Sequence, residues 1–214
     1  MMQKENINLK YWNFFYEKKN SLSKPSKFAM FCQKKLKNYK GAIYDLGCGD
    51  GRDTIYFNKK KIYCHGIDRS NKAILKSREK FPFLKQKFIN KNFCSYFKKN
   101  IKKNKFSVYS RFSLHSINKK SETSLFKYLN KQKNLEYLFI ETRTLNDELY
   151  GVGKRVGKHE FISTHYRRFI DPSLLKKQIK KNFQIIYFKS QKGFAKFKKE
   201  DPCVLRIIAK KKLI

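Results

Sequence analysis

Purely apolar runs in this chain reach only four or five residues, and they alternate with longer amphipathic stretches. That alternation of strand and helix patterns predicts an α/β sheet protein. Tyr11 to Lys19 and Pro25 to Lys37 read as two N-terminal helices, the second with proline at its start. Strands are expected at Ala42–Leu46, Ile62–Asp68, Phe88–Ile89, Phe106–Ser110 and Tyr137–Ile140, with helices over 53–59, 71–80 and 121–129. A helix over 172–180 follows, then strands Gln184–Phe188 and Val204–Ala209, which a loop can join as an antiparallel pair at the sheet edge. No repeat and no Pro/Gly/Ser-rich linker divides the sequence. One domain over 1–214 is expected: a helical cap over 1–40, then a doubly wound, mostly parallel seven-stranded sheet over 41–214 with an antiparallel edge strand.

Composition narrows the class. A chain of 214 residues, 40% hydrophobic and 16% aromatic, buries a full core and is too apolar for disorder. No apolar run approaches the length of about 20 residues that spans a bilayer. Met1 to Asn6 lack the apolar core of a signal peptide, so a cytoplasmic protein is expected, as monomer or homodimer. Five cysteines, Cys32, Cys48, Cys64, Cys94 and Cys203, are unpaired in number and show no Cys-x-x-Cys spacing. They are expected to be reduced, mostly buried thiols, with no disulfide framework and no metal. Even the adjacent Cys64 and His65 would point to opposite faces of a strand.

The formal net charge of +36 brings in nucleic acid as a partner. The basic residues are 43 Lys and only 9 Arg, scattered over nearly every segment. A surface built to grip RNA is expected to use arginine for bidentate contacts. Lys, Asn, Ile, Phe, Tyr and Met, the residues of A/T-rich codons, supply about half the chain. The charge is therefore read first as a solvated lysine-rich surface, with salt-sensitive polyanion binding as its consequence.

The sharpest chemical signal is Asp45-Leu46-Gly47-Cys48-Gly49-Asp50-Gly51, between a predicted strand and a predicted helix. Glycines there let the chain turn sharply and let a ligand reach the backbone, and the following helix offers free N–H groups. The second strand ends in Asp68, a carboxylate able to accept both hydroxyls of a ribose. A dinucleotide fingerprint would need glycine where Arg52 stands, and no phosphate-loop Lys-Ser/Thr pair follows.

Asp45 to Gly51 together with Asp68 resembles the cofactor site of class I S-adenosylmethionine-dependent methyltransferases, which are Rossmann-like, and the resemblance covers roughly residues 40 to 145. It implies that Gly47, Cys48, Gly49 and Gly51 hold the methionine end of S-adenosylmethionine, Asp45 its amino group and Asp68 its ribose. Asn92, following strand three, would face the adenine; the plainer alternative is a surface turn residue. N-terminal helices cover the cofactor in such enzymes, so Trp12 and Tyr16 are candidates for a lid beside their plain role in helix packing.

Strand four ends in Ser110-Arg111-Phe112-Ser113-Leu114-His115, where these enzymes place groups between donor and acceptor. His115 is a candidate general base or a packed histidine; Arg111 orients an anion or pairs with a carboxylate. The segment lacks the Asn/Asp-Pro-Pro-Tyr/Phe of adenine N6 enzymes and the Pro-Cys nucleophile of pyrimidine C5 enzymes. Beyond strand five, Arg and His concentrate around a glycine-containing loop: Arg143, Lys154, His165, Arg167 and Arg168. These suit closure on a phosphate or carboxylate, unless the arginines pair with Glu141, Asp147 or Asp171. Methyl transfer to O or N of a small anionic acceptor is expected, a phosphorylated or carboxylated metabolite or a surface-sugar precursor. RNA methylation through the lysine-rich surface, or a non-catalytic cofactor-binding subunit, are the alternatives.

Overall fold

The computed structural model describes residues 2–18, 24–197 and 199–212. Its helices are α1 (Met2–Lys18), α2 (Lys27–Lys35), α3 (Arg52–Lys59), α4 (Asn71–Lys80), α5 (Phe93–Lys99), α6 (Lys119–Asn130) and α7 (Pro172–Lys180). Its strands are β1 (Ala42–Leu46), β2 (Cys64–Asp68), β3 (Phe88–Asn90), β4 (Phe106–Arg111), β5 (Leu135–Arg143), β6 (Lys154–Gly157), β7 (Glu160–Ile162), β8 (Tyr166–Arg168), β9 (Phe183–Gln191) and β10 (Val204–Lys211).

Seven of these strands form one sheet in the order β3-β2-β1-β4-β5-β10-β9. β1 runs parallel to β2 and β4, and the parallel pairing continues outward to β3 and β5. β10 is the antiparallel strand, inserted between β5 and the edge strand β9. This is the doubly wound sheet with an antiparallel pair at its edge that the sequence predicts. Successive residues of β1 show why both faces are covered. Ile43 packs with Phe28, Phe57 and Tyr109 on one side of the sheet, whereas Tyr44 and Leu46 join Phe97, Leu125 and Leu205 on the other.

Helix starts follow cap chemistry. Ser26, Ser70, Asn92, Asn118 and Asp171 each accept a backbone N–H from the first turn of the helix they precede. Pro25 accordingly stands before the cap rather than in the first turn of α2. Three features depart from the sequence expectation. α1 extends back to Met2, and a helix, α5, occupies the stretch after β3. The glycine-containing stretch after β5 is not a plain loop, since β6, β7 and β8 make a small antiparallel sheet of their own. Strands of three or four residues are too short for alternation to reveal them.

All five cysteines are buried free thiols. Among the described residues, no helix is long and apolar enough to cross a membrane.

Candidate active site

Strand order reverses between β1 and β4, the position where an open parallel sheet leaves a crevice at the carboxyl ends of its strands. A cavity of about 690 Å³ fills that crevice. Asp45, Gly47 and Cys48 reach it from β1 and its following turn, and Asp68 from the end of β2. Arg111 and Phe112 come from the end of β4, Glu141 and Arg143 from β5. α1 contributes Tyr11, Trp12, Phe15 and Tyr16 along one wall.

The glycine turn is shaped by what lies against it. Gly49 has φ of 57°, and a Cβ there would collide with the Tyr16 hydroxyl of α1. Gly51, with φ of 77°, instead lies against the Phe88 ring, so it serves the packing of α3 on β3. Gly47 lines the cavity itself.

Asp68 fastens this turn to β2. Its Oδ2 accepts the Gly49 N–H at 2.9 Å and its Oδ1 the Ser70 N–H at 2.8 Å. Burial raises its carboxyl above the usual range, while the Ser70 and Gly49 amides and the charge and amide of Arg69 hold it down, and the carboxylate lines the cavity. Asp45 is more deeply enclosed. It accepts the Thr54 hydroxyl at 2.8 Å, and burial together with the neighbouring Asp53 pushes its carboxyl up to about 8. Asp53 is held by the Ser26 N–H at 2.7 Å, the Ser26 hydroxyl at 2.7 Å and the Tyr109 hydroxyl at 2.8 Å. Asn92 lines the cavity while its Oδ1 caps α5 by accepting the Cys94 N–H at 2.9 Å.

His115 sits in a short 3-10 turn after β4, buried, with its ring at the cavity wall. Its Nδ1 is shielded and has no hydrogen-bond partner among the described residues. Burial, followed by the charges of Arg143 and Arg167, holds its pKa well below the ordinary histidine range, so the imidazole is neutral.

The arginines divide by partner. Arg111 lies 3.0 Å from Glu141, which Arg206 of β10 also binds at 2.6 Å. This buried triad takes up Arg111 in the way the carboxylate-pairing alternative expects. Arg143 is engaged by Asp147 at 2.9 Å and by Glu200 at 2.9 Å. Arg168 does not line the cavity: it is buried against Glu122 and the carbonyls of Ile117 and Leu114, a structural role. Lys154 is exposed on β6 and likewise lies outside. Of the cluster beyond strand five expected to bind an anion, Arg143, His165 and Arg167 reach the cavity. Arg167 donates to the Ser163 hydroxyl at 2.9 Å and has no ion pair among the described residues.

Two contributors escaped the sequence reading. The β9–β10 connection supplies Phe194, Phe197 and Glu200 to the cavity. It is drawn in because the Phe194 carbonyl accepts from Arg206 at 2.9 Å and Glu200 binds Arg143. Asn8 of α1 is the other: it donates to Ser116 O at 2.9 Å and accepts the Tyr166 N–H at 3.0 Å, fixing α1 beside the cavity.

This topology is the class I methyltransferase fold, and solved structures of that fold superpose on the chain. A SAM-dependent methyltransferase from Methanosarcina mazei matches with a TM-score of 0.71 at 18% identity, over 86% of this chain and 98% of that one. A glycopeptide N-methyltransferase complexed with S-adenosylmethionine matches with a TM-score of 0.62 at 12% identity, over 88% and 95% of the two chains. The magnesium protoporphyrin IX methyltransferase of Synechocystis with bound S-adenosylhomocysteine gives 0.62 at 14%, over 86% and 80%. No protein-family profile and no curated protein sequence matches the chain.

Proposed function

We propose that the chain transfers the methyl group of S-adenosylmethionine to an oxygen or nitrogen atom of a small anionic acceptor. One observation carries this reading: the glycine turn and Asp68 open into the same cavity as neutral His115 and Arg167, which has no ion pair among the described residues. Donor and acceptor chemistry thus share one space.

The residues present fit the donor. Asp68 is a carboxylate at the cavity wall suited to the two ribose hydroxyls, and Gly47 brings bare backbone to the cavity beside it. Asn92 retains acceptor capacity for the adenine amino group, and Asp45 stands ready for the donor's ammonium. When bound, S-adenosylmethionine supplies an electrophilic methyl group on a sulfonium. The protein's part is positioning, which is worth several kcal/mol in bimolecular displacements, and exclusion of water by α1. His115 accepts the proton that the acceptor gives up.

Asp45 makes donor binding depend on pH. With its carboxyl at about 8, it is mostly protonated at neutral pH. An ammonium ligand favours the ionised form, so binding releases a proton and strengthens as the pH rises. S-adenosylhomocysteine affinity should increase from pH 6 to 8 by up to about tenfold per unit, and Asp45→Asn should flatten the profile. Calorimetry in buffers of different ionisation enthalpy measures both; a pH-independent affinity in the wild type would remove Asp45 from the donor site.

Arg167 and Arg168 should separate cleanly. Arg167→Ala is expected to leave S-adenosylhomocysteine affinity and melting temperature unchanged while raising the acceptor KM about tenfold or more. Arg168→Ala is expected to lower the melting temperature, because it leaves Glu122 buried with only Lys119 beside it. Loss of donor binding in Arg167→Ala would contradict the division of the cavity into donor and acceptor ends.

A further inference from the structure

The acceptor end of the cavity has a composition that narrows the acceptor further, taking the methyltransferase reading as given. Half-buried aromatic rings dominate it. Tyr11 stacks on His165 at 4.2 Å, and Trp12 lies edge-on to Tyr11 at 5.0 Å. Phe112 is held in the left-handed region with φ of 56°, by its N–H to Glu141 O at 2.8 Å. A bulky side chain in that region carries strain of about 1–3 kcal/mol, which the fold sustains where it aims a ring. The Arg111 and Arg143 guanidiniums lie 4.4 Å and 5.7 Å from the Phe112 centroid.

The polar groups point the same way. A polyhydroxylated acceptor such as a sugar phosphate calls for several carboxylates and amides free to bond its hydroxyls. Here Glu141 is consumed by Arg111 and Arg206, and Asp147 and Glu200 by Arg143. Around Phe112 and α1 the cavity keeps aromatic surface, Arg167 with no ion pair among the described residues, and the imidazoles of His115 and His165, which burial keeps neutral.

We infer that the acceptor is a planar aromatic acid, a phenol or hydroxylated heterocycle, stacking against Phe112 and the aromatic face of α1 with its carboxylate or phosphate on Arg167. Its hydroxyl oxygen bonds to the methyl carbon as the carbon–sulfur bond of S-adenosylmethionine breaks. Sulfur keeps the bonding pair, and the hydroxyl proton passes to the His115 imidazole and then to solvent. Burial is the main cause that weakens His115 as a base, and the charges of Arg143 and Arg167 add to it; the acceptor's negative charge offsets only that second part.

Trp12 is the only tryptophan of the chain and lines this cavity, so its fluorescence reports occupancy directly. Calorimetry with S-adenosylhomocysteine comes first: no binding there overturns the methyltransferase reading itself. With the protein saturated by S-adenosylhomocysteine, 3,4-dihydroxybenzoate, catechol and glucose 6-phosphate are then titrated against Trp12 emission. Saturable quenching by the dihydroxybenzoate is expected, about tenfold tighter than by either catechol or the sugar phosphate. Arg167→Met should weaken the dihydroxybenzoate about tenfold without altering S-adenosylhomocysteine affinity. Equal or tighter binding of the sugar phosphate, absence of saturable quenching, or undiminished binding in Arg167→Met would each overturn the inference while leaving donor binding intact.

Discussion

Replacing Asp68 with alanine is expected to weaken S-adenosylhomocysteine binding by about 2 kcal/mol or more, roughly thirtyfold. The loss has two sources. Two charge-assisted hydrogen bonds to the ribose disappear, each worth about 1.5–3 kcal/mol. The Gly49 and Ser70 amides also lose the carboxylate that fastens the glycine turn to β2, so the cradle loosens. Asp68→Asn should fall between wild type and alanine, since the amide keeps one acceptor oxygen. Calorimetry with circular dichroism as a folding control decides it. Wild-type affinity in the alanine variant would take Asp68 out of the donor site.

The second large effect is on stability. Glu141→Ala is expected to cost about 3–5 kcal/mol, because Arg111 and Arg206 would then share a poorly hydrated space with no counter-charge. For a chain of this size that corresponds to a drop in melting temperature of roughly 6–20 °C. The double variant Glu141→Met with Arg206→Met should recover much of the loss, since well-packed apolar groups often replace a buried ion pair at little cost. Arg206 also holds the Phe194 carbonyl, so the single alanine variant should loosen the β9–β10 connection and weaken acceptor binding alongside stability. A melting temperature within a degree or two of wild type would show that the triad does not hold the cavity floor.

The glycine-turn end of the cavity was legible because its parts lie close together in the sequence. A strand, a glycine turn, a helix and a second strand ending in Asp68 occupy about thirty consecutive positions, and local geometry alone brings them together. The acceptor end was only partly legible, for reasons that Arg167 and Arg168 show. Neighbours on β8 point to opposite sides, so one enters the cavity and the other reaches Glu122 in the interior. Composition identifies such a pair but not which member faces inward; that depends on the register of β8 against β7. Lys154 belonged to the same cluster in sequence, yet β6 carries it to solvent. Phe194 and Glu200 gave no signal at all, because their role follows from long-range bonds to Arg206 and Arg143. Asn92 lines the cavity and caps α5 with its Oδ1, an arrangement that decides between neither of its two sequence readings, adenine partner or turn residue.

The lysines illustrate a different limit. The charge of +36 comes from lysines spread along the chain, while the cavity's arginines Arg111 and Arg143 are matched by carboxylates. Net charge alone therefore says little about what enters the cavity.

The most direct test of the account is transfer of labelled methyl groups from S-adenosylmethionine by the full chain into fractionated cell extract, with and without RNase. The account predicts label in small, acidic, RNase-resistant material, lost in Asp68→Ala. Label that disappears on RNase treatment, or no transfer into any fraction, would contradict it.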